Sequence, residues 1–258
     1  MKFAYDVPGY LCGHRYSQQD SSYYDATNNR FLDLALYGNH TRFAAGVAPA
    51  FSVHGPNARE GLLLDNSSQW EIDNPIPWEG TVVVVMKIHM PSPGSVYTYL
   101  FGDAVTPTSN GMLIFQPLGG GGTVNNSFGA ASGILSAPSL AKPQDQIFVS
   151  AFAMDQEMRK AYSSSDGVTV NSSATAVAAV NGNAVSLGWN GNVGLAGSLG
   201  ARMVRVGNNS GAPGNVVANA TNYAWLFEDH FFKGNVLRTA LPQLKEFMDT
   251  LKAYYAAA

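Results

Sequence analysis

Charge is scarce in this chain. Charged residues fill 13% of 258 positions, about half the usual share of ~25%. The surface must therefore be covered largely by Ser, Thr, Asn, Gln and Gly. Such a surface suits packing against neighbours or weak polar ligands better than electrostatic capture. The net charge is −3 and no basic cluster is present, which argues against nucleic acid, because that partner needs a Lys/Arg footprint. Cysteine is nearly absent too. The single Cys12 excludes an internal disulfide framework and reads as a small buried or half-buried thiol, with no His beside it in any cysteine-protease pattern. No run approaches the ~18 apolar residues of a membrane span. Met1-Lys2-Phe3-Ala4-Tyr5-Asp6 lacks the apolar core of a signal peptide, so synthesis in a cytosol is the expectation.

What is present is apolar and strand-like. Hydrophobic residues at 46% supply a core without staples. Ile147 to Met154 is an apolar run that ends at Asp155-Gln156-Glu157 and resumes as Met158 to Tyr162. It turns at Ser163-Ser164-Ser165-Asp166-Gly167, and Asn181-Gly182-Asn183 marks a later turn before Ala184 to Trp189. Asp-Gly and Asn-Gly between apolar runs signal hairpins, since the tight turn needs positive φ at both central residues. Thr81-Val82-Val83-Val84-Val85-Met86-Lys87-Ile88 is the clearest strand, β-branched and continuous. Gln69 to Ile72 reads as a short edge strand ended by Pro75 and Pro77. Val96–Asp103 and Gly111–Gln116 form a further pair. The glycine run 119–122 is a hairpin tip and not a phosphate loop, because no Gly-Lys-Ser/Thr ending follows. Gly133 to Pro143 reads as loop.

Tyr223 to Phe232 is a final core strand with aromatics on both faces. Beyond it Thr239 is placed to cap a helix whose first turn accepts Pro242. Leu241, Leu244, Met248, Leu251 and Tyr255 lie along one stripe of that helix. Residues 1–23, rich in tyrosine and without a sustained period, read either as an extended arm or as an ordinary first strand over the core. The assignment adopted is an N-terminal arm over 1–23 and one β-sandwich domain over 24–258.

The order of these parts resembles laminin-G-like, concanavalin A-like domains. Leu34-Ala35-Leu36-Tyr37-Gly38-Asn39, Gly61-Leu62-Leu63-Leu64-Asp65, the Val-rich strand after the Pro-rich turn, and the strand ending at Asp155 carry that likeness across roughly 24 to 255. The resemblance implies an all-β fold: a two-sheet antiparallel jelly-roll sandwich with a short C-terminal helix. It does not select a function, because lectins, glycosidases, lyases, adhesion modules and virus shell or tail proteins share this fold.

The enzymes of the class leave clear absences here. Glucanases place three alternate carboxylates on one strand, whereas Glu71-Ile72-Asp73-Asn74-Pro75 offers two and then a strand-breaking Pro. Asp155-Gln156-Glu157 is a second alternate pair, read as a surface turn. Gln146-Ile147-Phe148 lacks the His of the lyase strand, and His230-Phe231-Phe232-Lys233-Gly234 only loosely echoes the lyases' last motif. No Gly-x-Ser-x-Gly elbow exists. His14, His40, His54, His89 and His230 lack zinc spacing. Asp65, Asp103 and Asp166 lie near loop ends, where laminin-G-like domains sometimes hold an ion, but Asp there is ordinarily a turn residue. No catalytic residue, metal ligand or cofactor is therefore expected, and no binding residue is assigned.

Two non-enzymatic readings follow. The first is a structural or adhesion protein of a virus particle such as a tailed phage, decorating a shell or forming part of a tail or fibre. Made in the host cytoplasm, it would contact other virion proteins or copies of itself, with host surface glycan as a further partner and no membrane insertion. The alternative is a carbohydrate-binding, lectin-like module, for which Trp70, Trp78, Trp189 and Trp225 are candidate stacking rings. The competing reading for each Trp is core packing.

Overall fold

The computed structural model describes residues 3–46, 50–64, 68–77, 80–89, 98–103, 111–118, 121–125, 127–130, 133–136, 140–141, 145–155, 157–158, 160–172, 201–202, 204–206 and 223–257. Trp78, Trp189, Asp65 and the Asn181-Gly182 turn lie outside these residues.

Strands pair antiparallel in two large sheets, with one small two-stranded ribbon beside them. The first sheet runs in the order Asn171–Ser172, Lys160–Ser164, Ile147–Asp155, Gly80–His89, Tyr223–Lys233, Arg59–Leu64, Phe51–His54. Its axis is the pair Gly80–His89 and Tyr223–Lys233, matched from His89 against Tyr223 to Gly80 against Lys233 with one shift between Leu226 and Glu228. The second sheet includes Thr98–Asp103, Gly111–Leu118, Val204–Val206, Ser68–Ile72 and Thr41–Gly46.

The unbroken apolar runs of the first sheet have a physical cause: both of its faces are covered. Val82, Val84, Met86 and Ile88 point into the sandwich with Phe148, Phe152, Trp70 and Phe31. Val83 and Val85 point the other way, with Val149, Ala151 and Ala153, into a second core under the C-terminal helix Leu241–Tyr255. That helix supplies Leu244, Phe247, Met248, Leu251 and Tyr255. At about 1.5–3 kcal/mol for each fully buried large side chain, this docking contributes far more than helix propensity.

Several sequence expectations change here. Tyr10–Arg15, within the stretch assigned to an arm, is a strand paired with Tyr223–Lys233, so the first-strand alternative describes it. Ser68–Ile72 is interior, paired with Thr41–Gly46 on one side and Val204–Val206 on the other; Pro75 lies beyond its end and costs it no ladder bond. Gly133–Ser136 and Leu140–Ala141 are strands within the stretch read as loop. Thr239 does not cap the long helix. It closes a separate short helix, Val236–Thr239, its hydroxyl bonded to the Asn235 carbonyl, and Ala240 takes the cap position.

Candidate functional site

The site begins at a register shift. Leu226 pairs with Met86, but Glu228 pairs with Val85, so Phe227 is an extra residue in the strand. A bulge of this kind resets which side chains face which side. Before it, Ala224 and Leu226 point into the sandwich; after it, Phe231 does. Glu228, Asp229 and His230 consequently alternate outer, inner, outer, opposite Val85, Val84 and Val83. The first strand matches them residue for residue: Gly13 with His230, His14 with Asp229, Arg15 with Glu228.

On the inner face Asp229 and His14 are both fully buried. One Asp229 oxygen lies 2.8 Å from His14 Nδ1, and the other accepts the Tyr16 hydroxyl at 2.6 Å. His14 Nε2 lies 2.7 Å from the Asn39 carbonyl. With an oxygen acceptor at each nitrogen the ring donates twice, which only the imidazolium does. Burial opposes that charge, but the Asp229 carboxylate, its hydrogen bond and the Asn39 carbonyl together raise the His14 pKa. Asp33 fixes the adjoining loop by accepting from the Gly13, Ala35, Tyr37 and Asn39 amides. Every partner here belongs to the chain itself.

The outer face differs because it opens. Glu228 Oε2 accepts from Arg15 Nε at 3.1 Å and from the Tyr255 hydroxyl at 2.5 Å, while Oε1 lies 2.9 Å from His230 Nε2. Burial alone would raise this carboxyl's pKa; the bond and charge of His230, the Arg15 guanidinium and Tyr255 outweigh it and hold the value at about 2. Tyr10 places its hydroxyl 3.2 Å from His230 Nδ1, and burial followed by neighbouring negative groups keeps that phenol protonated. The Arg15 guanidinium sits 4.4 Å from the Tyr23 ring centre and 4.5 Å from that of Tyr254.

Above this floor lies a pocket of about 850 Å³. Phe3, Ala4, Tyr5 and Tyr10 form one wall, the helix residues Phe247, Asp249, Thr250, Leu251, Ala253 and Tyr254 another, and Tyr23 and Leu34 complete the rim around Arg15, Glu228 and His230. Phe3 and Tyr5 stack nearly parallel at 5.2 Å, with Tyr5 66% exposed. The volume lies within the ~300–1,000 Å³ of small-molecule sites, and an apolar wall with a few convergent polar groups is their usual make-up.

The residues singled out from sequence fall mostly elsewhere. Trp70 is core, and Trp225 packs on the outer face against His54 with Lys87 over its ring. Glu71 and Asp73 are ion-paired with Arg42, at 3.7 and 3.1 Å. Asp155 is buried rather than at the surface: it accepts from Asn235 and pairs with Arg238, tying the short helix to its strand, while Glu157 holds the same Arg238 from outside. Asp166 accepts from the Val168 and Thr169 amides in the Asp-Gly turn. Burial would raise its pKa, but these bonds hold it at about 2. Asp103 ends its strand. No group of three or more His, Cys, Asp or Glu able to hold a metal occurs among the described residues. Of the five histidines, His230 alone lines the pocket. Arg15 and Glu228 escaped the sequence reading. The available signal was Glu228-Asp229-His230, three ionisable residues in succession inside an aromatic core strand.

No protein-family model matches the chain, and no curated protein sequence matches it. Solved structures do. A botulinum neurotoxin serotype C1 binding domain aligns with TM-score 0.55 at 9% identity, over 94% of this chain and 52% of that one. The binding domain of botulinum neurotoxin DC in complex with SialylT aligns at 0.56 and 6%, over 94% and 52%. Trypanosoma rangeli sialidase in complex with 2,3-difluorosialic acid aligns at 0.56 and 11%, over 96% of this chain and 34% of that one. The chain spans about half the length of the toxin domains and a third of the sialidase. At these identities the likeness is one of fold, and the chain is an antiparallel two-sheet β-sandwich with a C-terminal helix.

Proposed function

We propose that this chain is a non-enzymatic adhesion module of the concanavalin A-like, laminin-G-like class, and that it binds carbohydrate in the pocket between its N-terminal segment and C-terminal helix. The observation that carries the reading is the pairing of two exposed aromatic rings, Phe3 and Tyr5, and the half-buried Tyr23 with a hydrogen-bonding floor of Arg15, Glu228 and His230. Sugars present an apolar C–H face and a hydroxyl edge, and rings beside fixed polar groups suit both. The structures of similar fold include a binding domain in complex with SialylT and a sialidase, which supports placing carbohydrate first among ligand classes. Glu228 and His230 are held in internal bonds while Arg15 commits three of its five N–H groups, so a binding role fits the floor better than proton transfer. A glycan array probed with the whole chain and with Tyr5→Ala tests the reading: signals on the former, lost on the latter, are expected. An array that stays dark with the unaltered chain removes it.

The setting we propose is a virus particle, where the module would contact virion proteins or copies of itself. This rests on the low charge and polar surface of the sequence. A light-scattering mass over a concentration series tests it, with a defined closed oligomer as the expected result. A monomer at every concentration would count against self-assembly.

A further inference from the structure

We infer that the pocket takes acidic saccharides, with the Arg15 guanidinium receiving the sugar carboxylate, an inference that rests on the carbohydrate reading of the same site. A guanidinium carries five N–H donors in one plane. Three of those on Arg15 are committed: Nε and Nη2 donate to Glu228 at 3.1 and 3.4 Å, and Nη1 donates to the Tyr254 hydroxyl at 3.3 Å. The other two, one on each terminal nitrogen, have no acceptor among the described residues. Among those residues Arg15 is also the one Lys or Arg that lines the pocket. Its side chain is only 18% exposed, and a charge-assisted bond made away from bulk water is stronger than one at an open surface.

Three features favour a carboxylate over a hydroxyl as the acceptor. The guanidinium is fixed before any ligand arrives. Glu228 grips one edge with both oxygens, and the Tyr23 and Tyr254 ring centres lie 4.4 and 4.5 Å away, so little side-chain freedom is lost on binding. The free donors sit on two nitrogens of one plane, and two coplanar oxygens match them as a single hydroxyl does not. Finally, the carboxylates already in the pocket are answered. Glu228 is shared by His230 and Tyr255 as well as Arg15, so it does not rest on the arginine's charge alone. Asp249, on the rim, is paired with Lys245. The Phe3–Tyr5 stack at the mouth remains for the apolar face of the sugar ring.

The test is ligand-observed NMR titration of the whole chain with methyl glucuronide, its methyl ester and methyl glucoside, and with 3′-sialyllactose against lactose. Acids that exceed their neutral counterparts about tenfold or more, with the ester falling to the level of the glucoside, would bear the inference out. Arg15→Lys keeps a charge beside Glu228 but has no planar fork, and should cut the advantage to about twofold. Neutral probes that bind as tightly as the acids or tighter would overturn the inference while leaving the carbohydrate site standing. An acid preference that Arg15→Lys leaves unchanged would place the carboxylate elsewhere and overturn it too. Acetate that binds as tightly as methyl glucuronide, or no binding by any probe, would remove the carbohydrate reading and the inference with it. Should Arg15→Lys lose its fold, shown by a collapsed thermal midpoint, the acid–ester comparison on the unaltered chain decides. Tyr5→Ala then places the sugar: its ring is 66% exposed, so the fold survives, and binding that survives as well would overturn the inference.

Discussion

Two buried carboxylates one residue apart, Asp229 and Glu228, meet opposite fates. Both sit on the central strand, and each faces a cation of the first strand, His14 or Arg15. Asp229 turns into the sandwich, where His14 and Tyr16 consume it and no solvent reaches it. Glu228 turns toward the helix, where the same kind of pairing becomes the floor of a pocket. The bulge at Phe227 puts each carboxylate on its own side. Similar chemistry is thus structural on one face and available to function on the other, and the surroundings decide which.

The comparison breaks most violently on the closed side. Asp229→Asn leaves the His14 cation buried beside an amide, and removing one partner of a buried pair typically costs about 3–5 kcal/mol. Urea denaturation should show the midpoint collapsing with little change in slope. A midpoint within error of the unaltered chain would mean that the two faces do not differ in this way.

Acidity and alkalinity should then separate the two pairs. The Glu228 pKa is depressed in the fold, from 4.5 to about 2. Its stabilisation is therefore present above pH 4.5 and lost as pH falls toward 2, amounting to about 3 kcal/mol at ~1.4 kcal/mol per unit. The His14 pKa is raised. Its stabilisation is complete below pH 6.5 and lost as pH rises through the folded value. Unfolding free energy against pH should thus fall on both sides, with the acid limb flattened in Glu228→Gln and the alkaline limb in His14→Gln. A variant that flattens the other limb would reverse the assignment.

Gly13→Ala is a smaller blow, aimed at the open side. A Cβ at Gly13 would come within 2.5 Å of both His230 Nδ1 and the Tyr10 hydroxyl, and within 2.7 Å of the Asp229 carbonyl. The Tyr10–His230 contact must shift, at a cost of about 1–3 kcal/mol. Carbohydrate binding should weaken along with stability, because Tyr10 is a wall of the pocket. Chemical-shift changes concentrated on His14 instead would show that the strain goes inward.

The sandwich was legible because period and composition report burial directly. Val82–Ile88 and Ile147–Met154 read as strands from their apolar runs, and the 241–255 stripe as a helix from its spacing. The site was harder to read. Arg15 and Glu228 lie 213 positions apart in sequence, and only a strand register brings them together. Their shared face depends on one extra residue at Phe227, which no local pattern announces. The four tryptophans drew attention for their size, yet Trp70 is held at the centre of the sandwich by the apolar area it removes from water. The smaller Tyr5, stacked on Phe3, forms the exposed edge of the pocket, and a phenol tolerates water at its tip.

Tyr5→Ala should disturb the fold least and tell most about the pocket. The side chain is mostly in water and its ring contact is with Phe3, itself 46% exposed, so stability should move by no more than about 0.5 kcal/mol. The pairs at Asp229 and Glu228 are untouched, and both pH limbs should keep their positions. If carbohydrate binding nevertheless disappears, the polar floor alone does not hold the ligand, and the exposed rings supply the difference between a sealed ion pair and a site. If binding persists at full strength, Glu228 and Arg15 are as structural as Asp229 and His14, and the contrast between the two faces is one of solvent exposure alone.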